Sequence, residues 1–522
     1  MKYKEYRFFT FITLIVMGAL LTACSHRNSI DRESTDQIIF PRPFAFAIDD
    51  MGWNIGNDAG DVDHQGPYRI GIDRRMGIDD YRGIVEVGKQ VGVRIQGLFV
   101  LAEMDRENIL AKYPTTTWQG KHWNNSGNVN QEQLDIMNFV KQNAANLEFG
   151  LHGVGHEYWQ DGKKKRAEWY CTDDNHPWPE ESMEEHIQCF KDIMAQYNLS
   201  PAHGQSFPES FVPCAYGYFW NPEGDYSTGK VMAGVGVRYV NTLFDYIREL
   251  NPPAEPNGGG FDHGVIVVNR INYGNDWYKL SSLPTVDLNE QESDIIESHW
   301  SNWLAQDQFL QEKTNQKWVD YYRMVQSSAD RYVAKNTEQF FSQWLYNKYT
   351  SVTQTGEGLV SIDNSGMPSE AYQNNILGNM VLKVRLDSAE HISEARIDGN
   401  GIPCYFEEEG YGFMYLPVLN QKSYQLTYKI GKKNPGSYIF NKGTYNVYSY
   451  LVEPATVKTT IRMYGTQDVD FFGVENPADI QISNKNIQLL NSEYSIKDKH
   501  LVLTLHAVDM QGETGDVLLT FK

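Results

Sequence analysis

Two short stretches of the chain hold residues whose types and spacing could do chemistry. The first is Phe44-Ala-Phe-Ala-Ile-Asp49-Asp50-Met-Gly-Trp53, an apolar run that ends in adjacent carboxylates. Two like charges at the end of a buried strand are costly unless a cation neutralises one of them. The second is Leu147-Glu-Phe-Gly-Leu-His152-Gly-Val-Gly-His156, where two imidazoles leave an apolar run through a glycine-rich turn. A His-x-x-x-His spacing brings both rings to one centre if the intervening turn is helical, and glycine permits close approach. Two histidines and one aspartate form a ligand set with open positions, suited to a hydrolytic metal and its water. Taken singly, the carboxylate pair reads equally as a helix cap beside a surface charge, and the histidines as ordinary hydrogen-bonding groups.

The elements that must position these residues follow from the apolar pattern. Short runs at Phe44–Ile48, Val93–Leu101, Leu147–Leu151, Glu209–Val212, Arg238–Phe244, Gly264–Asn269 and Asp294–His299 read as strands. Between them, Asn130–Leu147 and Glu180–Tyr197 read as helices, the second with Met183, Ile187, Phe190, Met194 and Tyr197 on one face. Strands alternating with helices indicate a parallel α/β sheet or barrel, which carries its chemistry at the carboxyl ends of the strands. The sequence from about Asn315 to Tyr349 reads as helical, with Trp318, Tyr321, Tyr322, Val325, Phe340, Phe341 and Trp344 as packing residues. Beyond Gly356 the pattern becomes alternating, as in Met380–Leu386 and Tyr424–Tyr428, and then Ala478–Ser483 and Leu501–Leu505. With Asn434-Pro435-Gly436 as a break, two small β-sandwich domains are expected, over 356–432 and 436–522, the second Ig-like.

The chain has 522 residues, with 46 Lys+Arg against 67 Asp+Glu and a formal net charge of −21. That length predicts several domains, and no basic run exists to neutralise phosphates, so nucleic acid is not an expected partner. Lys2, Lys4 and Arg7 precede an apolar stretch, Phe8 to Ala23, that is too short for a membrane span and fits a secretory signal. Leu21-Thr22-Ala23-Cys24 resembles a bacterial lipobox, which implies cleavage before Cys24, lipid on its thiol, and attachment of the mature chain to the cell envelope outside the cytoplasm. Residues 24–40 read as a tether. Cys171, Cys189, Cys214 and Cys404 remain; their scattered spacing is not a zinc pattern, and the four thiols admit three pairings.

The two chemical stretches, taken in this order, resemble the polysaccharide deacetylase superfamily (carbohydrate esterase family 4). Ala47-Ile48-Asp49-Asp50 looks like its first motif and His152-Gly-Val-Gly-His156 like its second. The resemblance implies a distorted (β/α) barrel of about seven parallel strands within 41–350. It implies Asp50, His152 and His156 as ligands of a divalent metal, usually zinc, with Asp49 as general base. Phe211-Val-Pro-Cys214-Ala-Tyr216-Gly217 stands where the third motif has an arginine, which is absent here; Arg238 or Arg270 are the candidates to replace it in space. Asn241-Thr-Leu-Phe-Asp245-Tyr246 looks like the fourth motif, and Asp245 is taken as a substrate-side residue. The fifth motif's catalytic histidine is assigned to His299, with His263 second. Trp53 and Tyr216 are candidates to stack on a sugar ring and equally to be core residues. The implied activity is metal-dependent removal of N- or O-acetyl groups from an extracellular polysaccharide or oligosaccharide by a lipid-anchored enzyme. The alternative is a glycan-binding lipoprotein on the same barrel, suggested by the missing arginine and the appended β domains.

Overall fold

A computed structural model describes residues 37–56, 72–247 and 257–522. Cys24 and the signal-like segment lie outside these residues.

The amino-terminal two thirds form a curled parallel sheet with helices around it. The strands are β1 (Arg42–Met51), β2 (Ile95–Val100), β3 (Leu147–Gly153), β4 (Ser210–Phe211), β5 (Tyr239–Thr242), β6 (Gly259–Asp262), β7 (Val265–Asn269), β8 (Ile295–His299) and β9 (Arg331–Val333). Their order is β8-β1-β2-β3-β4-β5-β7-β6, with β9 paired in parallel beside the amino half of β1. Only β6 runs antiparallel. The ends of the curl, β7 and β8, approach through one isolated bridge between Ile271 and Ile296. The expected barrel is therefore a curled sheet whose seam lacks a continuous ladder. Each predicted strand of this region is present, because a strand buried on both faces must be apolar throughout, as Val265-Ile-Val-Val268 is.

Helices α1 (Ile78–Val91), α2 (Gln131–Gln142), α3 (Glu180–Ala195), α4 (Thr228–Ala233), α5 (Trp300–Trp303), α6 (Gln311–Gln326) and α7 (Thr337–Tyr349) cover the sheet. The sequence pattern missed α1. It starts with Asp79 and Asp80 against its positive end, Asp80 forks onto Arg74 at 2.8 and 2.6 Å, and Gly92 closes it in the left-handed conformation. The expected continuous helix to Tyr349 is divided by β9, since Arg331-Tyr-Val333 finds a backbone partner in β1. All the aromatic packing residues expected there are buried. Trp303 and Trp318 stack at 3.8 Å, and the edge of Phe46 meets both rings, which fixes β1 from behind.

The carboxyl-terminal third is mostly β, with one short helix at Ser369–Gln373, but not two separate sandwiches. An eight-stranded sheet runs through it without interruption, and a five-stranded and a four-stranded sheet complete the layer. The loop at 434–436 is no boundary in this sheet: Cys404–Glu408 pairs in parallel with Tyr438–Phe440 across it. The expected tether also needs correction at its end, because Ile38 and Ile39 form the edge strand against Val384 and Lys383. No helix among the described residues is long and apolar enough to cross a membrane.

Candidate metal and hydrolytic site

Asp49 and Asp50 lie at the carboxyl end of β1, and a plain strand would turn their side chains to opposite faces. The ladder with β2 is interrupted between Ile48 and Met51, and Asp50 takes a positive φ of 66°. This bulge re-aims the second carboxylate. Gly52 follows at φ 101°, where a Cβ would lie 2.2 Å from the Val100 carbonyl oxygen, so the tight exit requires glycine. Glu103 holds the segment beyond by accepting hydrogen bonds from the backbone N–H groups of Asn54 (2.6 Å) and Ile55 (2.8 Å).

The histidine segment is built in the same manner. The β2–β3 ladder skips His152, and the connection to His156 is a bend, not the helical turn expected. His156 has φ 66°, and a Cβ on Gly155 would sit 2.0 Å from the Thr116 carbonyl oxygen. Glu168, which the sequence did not single out, organises this bend. Its buried carboxylate accepts the N–H groups of Val154 (2.9 and 3.0 Å) and His156 (2.8 Å) and meets His186 Nδ1 at 2.9 Å. His152 Nδ1 donates to the Val212 carbonyl at 2.7 Å, which leaves Nε2 facing Asp50. Asp50 Oδ1 lies 3.3 Å from His152 Nε2 and 3.7 Å from His156 Nε2, without the alignment that a hydrogen bond needs.

Asp49 has a different partner. Arg270, fully buried just past β7, forks onto it with Nη1–Oδ1 at 2.8 Å and Nη2–Oδ2 at 2.6 Å. Of the two arginines considered, Arg270 is the one that meets Asp49. Arg238 lies at the opposite, amino end of the sheet, on Glu209. His299 ends β8 directly beside Asp49 in the ladder, with Nε2 at 3.7 Å from Glu297 Oε1. His263, the second candidate, is in the β6–β7 turn at the amino end of β7, with Nε2 at 3.2 Å from the Asn221 carbonyl. Glu297 was missed by sequence reading. It accepts the Tyr216 hydroxyl at 2.8 Å and Asn272 Nδ2 at 3.3 Å, with Arg270 Nε at 3.6 Å. A carboxylate inside an apolar strand, two residues before a candidate histidine, was the signal available for it.

The candidate sugar-stacking residues are placed otherwise. Trp53 is 2% exposed within the main hydrophobic cluster. Tyr216 is half-buried, with its hydroxyl on Glu297 and its ring 5.6 Å from the Arg270 guanidinium carbon. Asp245 is exposed in a short 3-10 turn after β5.

Electrostatics distinguish these groups. Burial raises the Asp49 carboxyl, but the Arg270 charge, with those of His152 and His299, outweighs it and holds the group below the usual carboxylate range. For Asp50, burial is likewise overcome, by His152 and the His156 charge, and the group is held down to about 2. Burial works against charge on His152, but the two aspartates win and raise it, whereas burial dominates at His156 and favours the neutral ring. Asp49, Asp50 and Glu297 are three buried carboxylates with one guanidinium among them. A divalent cation would complete that balance, and the unpartnered Asp50 Oδ1 between two imidazole nitrogens is chemically suited to hold one. The cysteines are free and buried, so none of the three pairings occurs. Cys214 Sγ belongs with His152 and His156 in a group whose ligand atoms all lie within 4.8 Å of one another.

No protein-family profile matches the chain, and no curated protein is similar to it. Among solved structures it is similar to a GH57-type branching enzyme from the hyperthermophilic archaeon Pyrococcus horikoshii, at 12% identity and a TM-score of 0.26, over 44% of this chain and 47% of that one. The chain thus spans about half of that enzyme's length. The described residues hold two candidate His/Cys/Asp groups for a metal, of which His152, His156 and Cys214 follow strands of the curled parallel sheet.

Proposed function

We propose that the protein is a metal-dependent hydrolase of the polysaccharide deacetylase type, which removes N- or O-acetyl groups from a glycan. One observation carries this reading: Asp49 is forked onto Arg270 while Asp50, its neighbour on the same bulge, faces His152 and His156. Adjacent carboxylates are thereby assigned separate tasks.

Asp50, His152 and His156 would hold the ion, zinc on this reading, which supplies an acidified water and polarises the acyl carbonyl. Arg270 keeps Asp49 ionised and fixes its plane, so Asp49 is ready to take the proton of the attacking water. The same guanidinium lowers the basicity of Asp49 and holds it as the carboxylate. His299 is the most open of these groups and, in its protonated form, donates to the departing amine or alkoxide. Glu297 holds Tyr216 and lies close to both Arg270 and His299. The reading places the enzyme at the bacterial envelope through lipid on Cys24, with acetylated polysaccharide as its partner.

Acetate release from N-acetylated chito-oligosaccharides and O-acetylated xylan, measured with added zinc, tests the proposal. Release by the wild type, lost in Asp49→Asn and on chelation, is expected. Zinc bound by the wild type without acetate released from either substrate would sink the deacetylase reading and favour a glycan-binding role.

A further inference from the structure

The segment Val212-Pro-Cys214 lies directly against the two histidines. The Val212 carbonyl orients His152 through Nδ1, and two residues later Cys214 Sγ donates to the His152 carbonyl at 3.1 Å. Cys214 is fully buried. A Cβ built on Gly153 would lie 2.3 Å from Glu168 Oε2 and 2.8 Å from the Cys214 sulfur, so the carboxylate and the sulfur share the space that this glycine leaves open. Ala215 and Tyr216, which follow Cys214, both hold positive φ, 50° and 61°. The ligand atoms of Cys214, His152 and His156 lie within 4.8 Å of one another. Ligands of a tetrahedral zinc, at about 2.0–2.3 Å from the ion, are separated by roughly 3.3–3.8 Å, so a side-chain shift of about 1 Å would suffice. Independently of the thiol, the buried Asp50 Oδ1 faces the same two imidazoles without a hydrogen bond.

We propose that Cys214 is a sulfur ligand of the ion held by His152 and His156. The inference rests on the metal reading of the site and extends it, since the resemblance implies only oxygen and nitrogen donors. As the sulfur–metal bond forms, the thiol proton leaves to solvent, and the thiolate replaces the hydrogen bond to the His152 carbonyl with coordination. A thiolate in the set selects zinc or cobalt over magnesium, calcium and manganese. The scattered cysteine spacing hides such a ligand, because the sheet and not the sequence brings position 214 to position 152.

The test uses cobalt(II) and zinc(II) as probes on the full chain. The cobalt form should show a near-ultraviolet thiolate-to-cobalt charge-transfer band besides its visible bands. Cys214→Ser should lose the first, keep the second, and bind zinc on the order of tenfold or more weakly. Cys171→Ser should change neither, which separates this site from the group of buried Cys171 with exposed Asp174 and His176. X-ray absorption of the zinc-loaded wild type needs no variant and should show a sulfur at about 2.3 Å. Bound metal with neither the band nor the sulfur shell would overturn the proposal while leaving the metal reading standing. A band that survives Cys214→Ser would do the same. A wild-type chain that binds neither ion would overturn both.

Discussion

The two ends of the parallel sheet each hold buried arginine–carboxylate clusters, and the clusters differ in how they are completed. At the amino end, Arg462 reaches back from the β region to Glu338 and Glu209, at 2.5 and 2.6 Å, and Arg238 also binds Glu209. Asn446 and the Tyr448 hydroxyl donate to the other oxygen of Glu338. Two guanidiniums face two carboxylates. Arg94 adds another closed pair with Glu148 at 2.8 Å and donates to the carbonyls of Ala144 and Met510. Gln511 seals the same end by donating to the Phe149 carbonyl. At the carboxyl end, three carboxylates share one guanidinium, and the Asp50 and Glu297 oxygens without hydrogen bonds face histidines and Arg270. A balanced, satisfied network holds two layers together, whereas an unbalanced one leaves room for a cation. The β region closes the end of the sheet where parallel α/β folds carry no chemistry, through Arg462, Gln511 and the Met510 carbonyl.

The largest effect should come from the carboxyl end. Asp49→Asn should lower acetate release by roughly 10²–10⁴-fold with the folded structure intact by circular dichroism, as expected for loss of a general base. At the closed end, Arg462→Met should destabilise the chain by about 3–5 kcal/mol in urea unfolding, because Glu338 stays buried and loses its guanidinium. Equal stability of that variant would show the network to be dispensable. Zinc at about 100 times its dissociation constant should raise the stability of the wild type by about 2.7 kcal/mol. The same gain should appear in Arg462→Met and vanish in His152→Ala; a gain that persists in His152→Ala would place the ion elsewhere.

The smallest effect per unit of the variable concerns Lys383, buried on the strand Met380–Arg385 of the β region with its ammonium donating to the carbonyls of Ser328 (2.5 Å) and Arg331 (2.7 Å). Burial lowers its pKa to about 7 from 10.5. The unfolded chain binds this proton more tightly, so between about pH 7 and 10.5 stability rises with pH, by at most about 1.4 kcal/mol per unit. Lys383→Met should remove that slope in thermal melts taken across the window. An unchanged slope would assign it to other groups.

Much of the site was legible because its residues are contiguous. The strand–carboxylate and strand–histidine stretches carry their own apolar lead-in, so their place at strand ends could be read directly. Arg270 was legible only as one of two candidates, since nothing local says which arginine turns toward Asp49. Glu297 and Glu168 were not legible: buried carboxylates give no pattern until their donors, Tyr216 and the amides of Val154 and His156, are in place. Trp53 looked available to a sugar because its exposure depends on packing that spacing does not record. The β region misled in its boundaries, as Asn434-Pro435-Gly436 reads as a break whether or not a sheet continues across it.

The sequence by itself determined the alternation of strands and helices, the change to half-buried strands after Gly356, and the two stretches that carry chemistry. Those depend on local periodicity and on glycines at positions that tolerate no Cβ. Only the tertiary structure decided which arginine serves Asp49, that Cys214 approaches His152 and His156, and that one sheet joins the two halves of the β region. These are contacts between distant segments, set by the curl and register of the sheets, and no residue spacing along the chain encodes them.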